Sequence, residues 1–106
     1  MPDARITVPA SVPRGKPFEV RIIVRHPMET GYRTDESGKS IPRNVIRSLT
    51  CRYNGDLVFS ARLSSGIAAN PYLRFFVTAK ESGQLAFEWV DDAGARGSDS
   101  AAVTVA

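Results

Sequence analysis

Along most of this chain apolar and polar residues alternate one for one, the period of a strand with one face buried. Arg5 to Pro9 puts Ile6 and Val8 on one side. Pro9, Pro13, Gly15 and Pro17 then interrupt the pattern, so a short edge strand and a turn are expected. Phe18 to Arg25 sets Phe18, Val20, Ile22 and Val24 against Glu19, Arg21 and Arg25; Ile23, on the polar side, hints at a second contact surface. Asn44 to Tyr53 carries Val45, Leu49, Cys51 and Tyr53 at the same period, and Asp56 to Leu63 returns with Leu57, Phe59, Ala61 and Leu63. Leu73 to Ala79 alternates Leu73, Phe75, Val77 and Ala79, with Phe76 on the other face. Leu85, Phe87 and Trp89 line one side of the next strand, and Ala101 to Ala106 closes the chain through Val103 and Val105.

The punctuation between these runs is that of turns. Ser64-Ser65-Gly66, Asn70-Pro71, Ser82-Gly83 and Asp91-Asp92-Ala93-Gly94 end or begin strands, and Ile67 to Tyr72 is irregular. Asn54-Gly55 is a strong hairpin signal. A two-residue loop there would set Arg52 opposite Leu57 and Thr50 opposite Phe59, placing polar residues on the apolar face. A three-residue loop, Tyr53-Asn54-Gly55, pairs Cys51 with Leu57, Leu49 with Phe59 and Arg52 with Asp56, and is the expected register. Short strands with turn signals between them and no helical period predict an all-β fold. The expected form is an immunoglobulin-like antiparallel β-sandwich of about seven strands. The Cys–Trp–Cys framework of antibody domains is absent, so the likeness is one of architecture.

One stretch escapes the alternation. His26 to Arg43, HPMETGYRTDESGKSIPR, holds the only histidine, a mixture of charges and two prolines. A loop of this length in a small domain is usually functional or disordered, and its varied composition argues against simple disorder.

Composition narrows the classes. The 106 residues fit one domain, spanning 1–106, and 42% hydrophobic with 24% charged residues is the make-up of a globular chain. A net charge of +3 is a mild basic bias, short of the dense Lys/Arg stripe of a dedicated nucleic-acid binder. A single cysteine forms no internal disulfide, which by itself leans towards a reducing compartment. Neither a signal peptide nor a membrane span is expected from the apolar runs present.

Each candidate for chemistry has a plainer reading. Ser37-Gly38-Lys39-Ser40 resembles the tail of a phosphate-binding loop, but that motif needs glycine where Arg33 stands and a helix where Ile41-Pro42 forbids one. His26 lacks an identifiable nucleophile and orienting partner, so a hydrogen-bonding role at the mouth of the loop is expected. Cys51 lies on the inward face and reads as a small buried hydrophobe. Asp91-Asp92 with Gly94 lacks a calcium loop and reads as a turn. Tyr53, Tyr72, Phe76 and Trp89 could stack nucleotides with the arginines, but most fall at core spacing. Phe76, Tyr72 and Ile23 on outward faces suggest an apolar partner surface. No catalytic residue, cofactor or metal site is expected from these residues. An independent basic β-domain binding single-stranded nucleic acid is the alternative to a protein-binding module.

The order of motifs also resembles the SoxZ family, one component of the SoxYZ sulfur-carrier complex of bacterial thiosulfate oxidation. The resemblance rests on His26, Met28-Glu29, Gly31, Arg33 and Asp35, then Gly38-Lys39, Ile41-Pro42-Arg43 and Ile46. It continues through Cys51, Asn54-Gly55, Asn70-Pro71-Tyr72 and Trp89…Asp91-Asp92…Gly94, and is loosest before Phe18 and after Gly94. It implies an immunoglobulin-like sandwich with no catalytic residues that pairs with SoxY, whose C-terminal cysteine tail carries sulfur intermediates. It implies transient contacts with other Sox enzymes, no nucleic acid or membrane partner, and a periplasmic location reached by export with SoxY. Read with the family, His26–Arg43 becomes a shaped partner-binding surface. Its expected contacts are His26, Met28, Glu29, Gly31, Tyr32, Arg33, Ile41, Pro42 and Arg43, joined by Asn70, Pro71 and Tyr72. Met28, Tyr32 and Ile41 are the expected apolar anchors.

Overall fold

The computed structural model describes residues 4–64, 67 and 69–106. Among them the alternating runs become seven strands: β1 (Ala4–Thr7), β2 (Pro17–Val24), β3 (Ile46–Tyr53), β4 (Asp56–Arg62), β5 (Tyr72–Thr78), β6 (Gly83–Asp91) and β7 (Arg96–Val103). They form two antiparallel sheets, β1-β2-β5 and β4-β3-β6-β7. Inward side chains of both sheets merge into one core: Val20, Ile22, Val24, Phe75 and Val77 from the first, Leu49, Cys51, Tyr53, Leu85, Phe87 and Trp89 from the second. Phe75 ties the layers together, stacking on Phe59 at 4.1 Å and meeting Phe87 edge-on at 6.0 Å. This is the sandwich that the period-two pattern predicts.

The hairpin register differs from expectation, and a bulge is the reason. Asn54 and Gly55 both have positive φ (49° and 91°), which makes a two-residue turn whose twist suits the flanking strands. Tyr53 therefore faces Asp56, and Arg52 faces Leu57. Val58 is then left out of the ladder, the pairing shifts by one, and Cys51 faces Phe59 while Leu49 faces Ala61. The parity conflict that argued against the short loop is thus resolved within the strand. Arg52, expected opposite Asp56, instead donates a hydrogen bond to the Gly55 carbonyl (3.3 Å). Leu57, expected inside, is 53% exposed.

Other boundaries move as well: β1 spans Ala4–Thr7 in place of Arg5 to Pro9, and the closing strand ends at Val103 in place of Ala106. β3 begins at Ile46 rather than Asn44, and a second irregularity at Arg47 lets both Val45 and Ile46 bury. β7 begins at Arg96, five residues before the apolar pattern starts, because its pairing with β6 is carried by backbone and needs no apolar side chains. Gly97 in this segment is required by packing: a Cβ there would lie 2.2 Å from the Trp89 indole. Of the turn expected at Ser64-Ser65-Gly66, Ser65 and Gly66 lie outside the described residues.

Candidate functional site: an anchored arm and two outer faces

The 26–43 stretch is not irregular throughout. Its two limbs pair at their base, where Glu29 and Asn44 exchange backbone hydrogen bonds of 2.9 and 2.8 Å, and again at Thr34 and Ser40. Between them a tight turn is built on Asp35, whose Oδ1 accepts from the Ser37 and Lys39 amides and from the Ser37 hydroxyl. Those donors hold the Asp35 carboxyl below the usual carboxylate range, the Ser37 hydroxyl first among them. Ser37 to Ser40 is thus the closing half of an aspartate-capped turn, in place of a phosphate cradle. Gly31 (φ 91°) passes against Arg43, and Glu29 and Arg33 form a two-pronged ion pair with contacts of 3.0 and 2.5 Å. Residues 32–40 are all exposed, so the segment is an arm.

What fixes this arm is its base. The His26 ring is buried; its Nδ1 accepts the Met28 amide at 3.0 Å, which leaves Nε2 to donate to Asp91 Oδ2 at 3.0 Å. Burial pushes the Asp91 carboxyl up, but hydrogen bonds from His26, the Ala95 amide and Asn44 outweigh it and hold it below the usual carboxylate range. The His26 backbone is tied in turn to Asn70, whose amide donates to the His26 carbonyl (2.7 Å) and whose Oδ1 accepts the His26 amide (3.0 Å). Asn70, like Met28, has positive φ (53° and 50°), a conformation held by these contacts. Asp92 completes the base: it accepts from the Val45 amide and stands 3.4 Å from Arg43 and 3.8 Å from Arg47.

Several expectations are corrected here. Met28 is only 4% exposed, and its sulfur accepts the Ile46 amide, so its side chain pins the arm from inside and offers no free apolar anchor. Tyr32, at 90% exposed, is the aromatic at the arm's surface, while Ile41 is half-buried. His26 does have an orienting partner, Asp91, which reads in sequence as part of a turn; the turn is present, but its carboxylates organise the arm. Pro42, Arg43 and Tyr72 are exposed, Pro71 is buried, and Pro71 accepts the Val24 amide through its carbonyl.

The outer face of β1-β2-β5 brings Ile23 directly opposite Tyr72. Phe76, 60% exposed, lies on the same face beyond the Arg21–Arg74 pair, which flanks Glu19. The apolar surface expected from Ile23, Tyr72 and Phe76 is therefore one face, divided by a charged row. Cys51, by contrast, is fully buried, and burial pushes its thiol up to about 12. Among the described residues no three His, Cys, Asp or Glu side chains come together as a metal site.

The described residues define a small antiparallel two-sheet sandwich that carries an anchored, exposed arm. The family can be stated as well: the chain matches "Sulphur oxidation protein SoxZ" over residues 6–102 and belongs to that family. No curated protein matches it in sequence. Among solved structures, it is similar to the sulfur carrier protein SoxY from Chlorobium limicola f thiosulfatophilum. The TM-score is 0.68 at 11% identity, covering 98% of this chain and 79% of that one. It is also similar to the superoxide reductase (neelaredoxin) of Ignicoccus hospitalis, with TM-score 0.74, 20% identity, and 97% and 80% of the two chains covered. At such identities these likenesses speak for the sandwich fold alone.

Proposed function

We propose that this chain is the non-catalytic subunit of a two-subunit sulfur carrier. It binds SoxY, whose C-terminal cysteine tail carries covalent sulfur intermediates, and helps present that tail to the other Sox enzymes of thiosulfate oxidation. Its working place is the periplasm, which it reaches together with SoxY. The observation that carries the reading is the match to the SoxZ family over nearly the whole chain, residues 6–102.

The chemistry of the single cysteine supports a division of labour. A carrier needs an accessible thiolate. Cys51 is the only cysteine here, and it is buried with its ionisation suppressed, so the carrying thiol has to come from a partner. A rigid sandwich with a fixed arm suits the complementary task of giving several enzymes a common surface to recognise. Co-expression with the SoxY subunit followed by gel filtration tests the pairing. The two should co-elute, and separate elution would overturn the proposal.

A further inference from the structure

The outer face of β4-β3-β6-β7 carries a charge arrangement that the fold does not require. Cross-strand partners run in a single row over all four strands: Arg62 on β4 faces Ser48 on β3, Ser48 faces Val90 on β6, and Val90 faces Arg96 on β7. The centre of the row is small or apolar and both ends are arginines, roughly 14 Å apart across three strand spacings. At the arm side, Arg43 and Arg47 close the same trough, whose volume is about 740 Å³. Among the described residues Asp92 is the one carboxylate lining it, and Arg43 and Arg47 already share it. Arg62 and Arg96 have no ion pair among the described residues. Four guanidiniums against one carboxylate leave a surplus of three positive charges, equal to the net charge of the whole chain.

Edge strands often carry charges that discourage unwanted strand pairing. That accounts for Arg62 and Arg96, which stand on the two edges of this sheet, but not for Arg43 and Arg47. An open, shallow trough is also poorly suited to a small anion, since water screens each contact. It suits an extended surface bearing several carboxylates, which meets all the guanidiniums at once and gains both steering and orientation. Glu88, in the adjoining hollow with Thr50 and Ser98, would limit how far along the sheet such a partner extends.

We infer that this arginine trough is a docking surface for an acidic, carboxylate-bearing segment of a protein partner. The inference stands on the charge arrangement and is independent of the sulfur-carrier reading.

The test uses the intact chain and a fluorescently labelled octaglutamate peptide at low ionic strength. Amide shifts on titration should cluster at Ser48, Arg62, Val90 and Arg96. Replacing Arg62 and Arg96 together by glutamine should weaken binding about tenfold, whereas Arg5→Gln, on the outer face of the other sheet, should leave it unchanged. The shift map on the unmodified protein keeps the test decisive should the double variant misfold. Shifts elsewhere, or equal weakening by Arg5→Gln, would overturn the inference. So would displacement of the peptide by thiosulfate or sulfate beyond that by sodium chloride of equal ionic strength, which would mark a small-anion site. Tighter binding of an oligothymidine through the same arginines would hand the surface to nucleic acid and likewise refute it.

Discussion

His26 Nε2 stands 3.0 Å from Asp91 Oδ2, joining residues 65 positions apart, while the other ring nitrogen accepts the Met28 amide two residues on. One side chain therefore ties the root of the arm to the end of β6 and fixes the backbone where the arm departs. The pair is buried, so its hydrogen bond is shielded from water. Replacing His26 by alanine would leave the Met28 amide without its acceptor and take one donor from Asp91, which keeps those of Ala95 and Asn44. A loss of about 2–4 kcal/mol is expected from one unsatisfied buried amide and one lost hydrogen bond to a carboxylate. Amide exchange should quicken in residues 27–44 while the core strands stay protected; uniform protection would contradict this role.

Acid should act through Asp91. Its carboxyl in the folded protein lies below the ordinary value of 3.8. The carboxylate form therefore contributes stability that is present above that value and lost as pH falls through the lowered one. Urea unfolding followed from about pH 6 to about pH 2 should show a steeper acid loss for the natural protein than for Asp91→Asn. Asp35 and Glu29, also lowered, remain in both proteins, so the difference between the curves isolates Asp91.

Met28 and Tyr32 should separate folding from binding. Met28→Asp buries a charge without a partner and should cost about 3 kcal/mol or more, seen as a lower Tm. Tyr32→Ala removes an exposed ring and should leave the unfolding free energy within about 0.5 kcal/mol of the original. If the arm contacts SoxY, Tyr32→Ala should nonetheless weaken co-elution. Full co-elution at normal affinity would move the contact off the arm's aromatic.

Gly31 combines a φ of 91° with a close pass: a Cβ there would stand 3.2 Å from the Arg43 Cβ. Gly31→Ala should cost about 1–3 kcal/mol, confined to the arm and read as faster exchange at Glu29 and Asn44. Gly38 has similar φ but open surroundings, so Gly38→Ala should be milder.

Cys51 should resist thiol reagents in the folded state at about pH 8 and react at once in denaturant, because burial disfavours the thiolate. Rapid labelling of the folded chain would show that the core opens there. The same burial leaves the thiol no surface on which to form a disulfide with a partner.

Much of the fold was legible in the chain. Alternation located every strand and most inward faces, because a half-buried strand must repeat every second residue. It failed where backbone pairing alone makes the strand, at Arg96 to Ser100, and where a bulge changes parity, at Val58. The sequence by itself determined that residues 26–43 stand apart, that Asn54-Gly55 turns, that Cys51 and Trp89 point inward, and that the motifs are those of SoxZ. Only the tertiary structure decided that Met28 is buried, that His26 meets Asp91, and that Arg43, Arg47, Arg62 and Arg96 share one trough. Such relations depend on which strands become neighbours and in what register, and a one-residue shift in pairing moves every side chain to the other face.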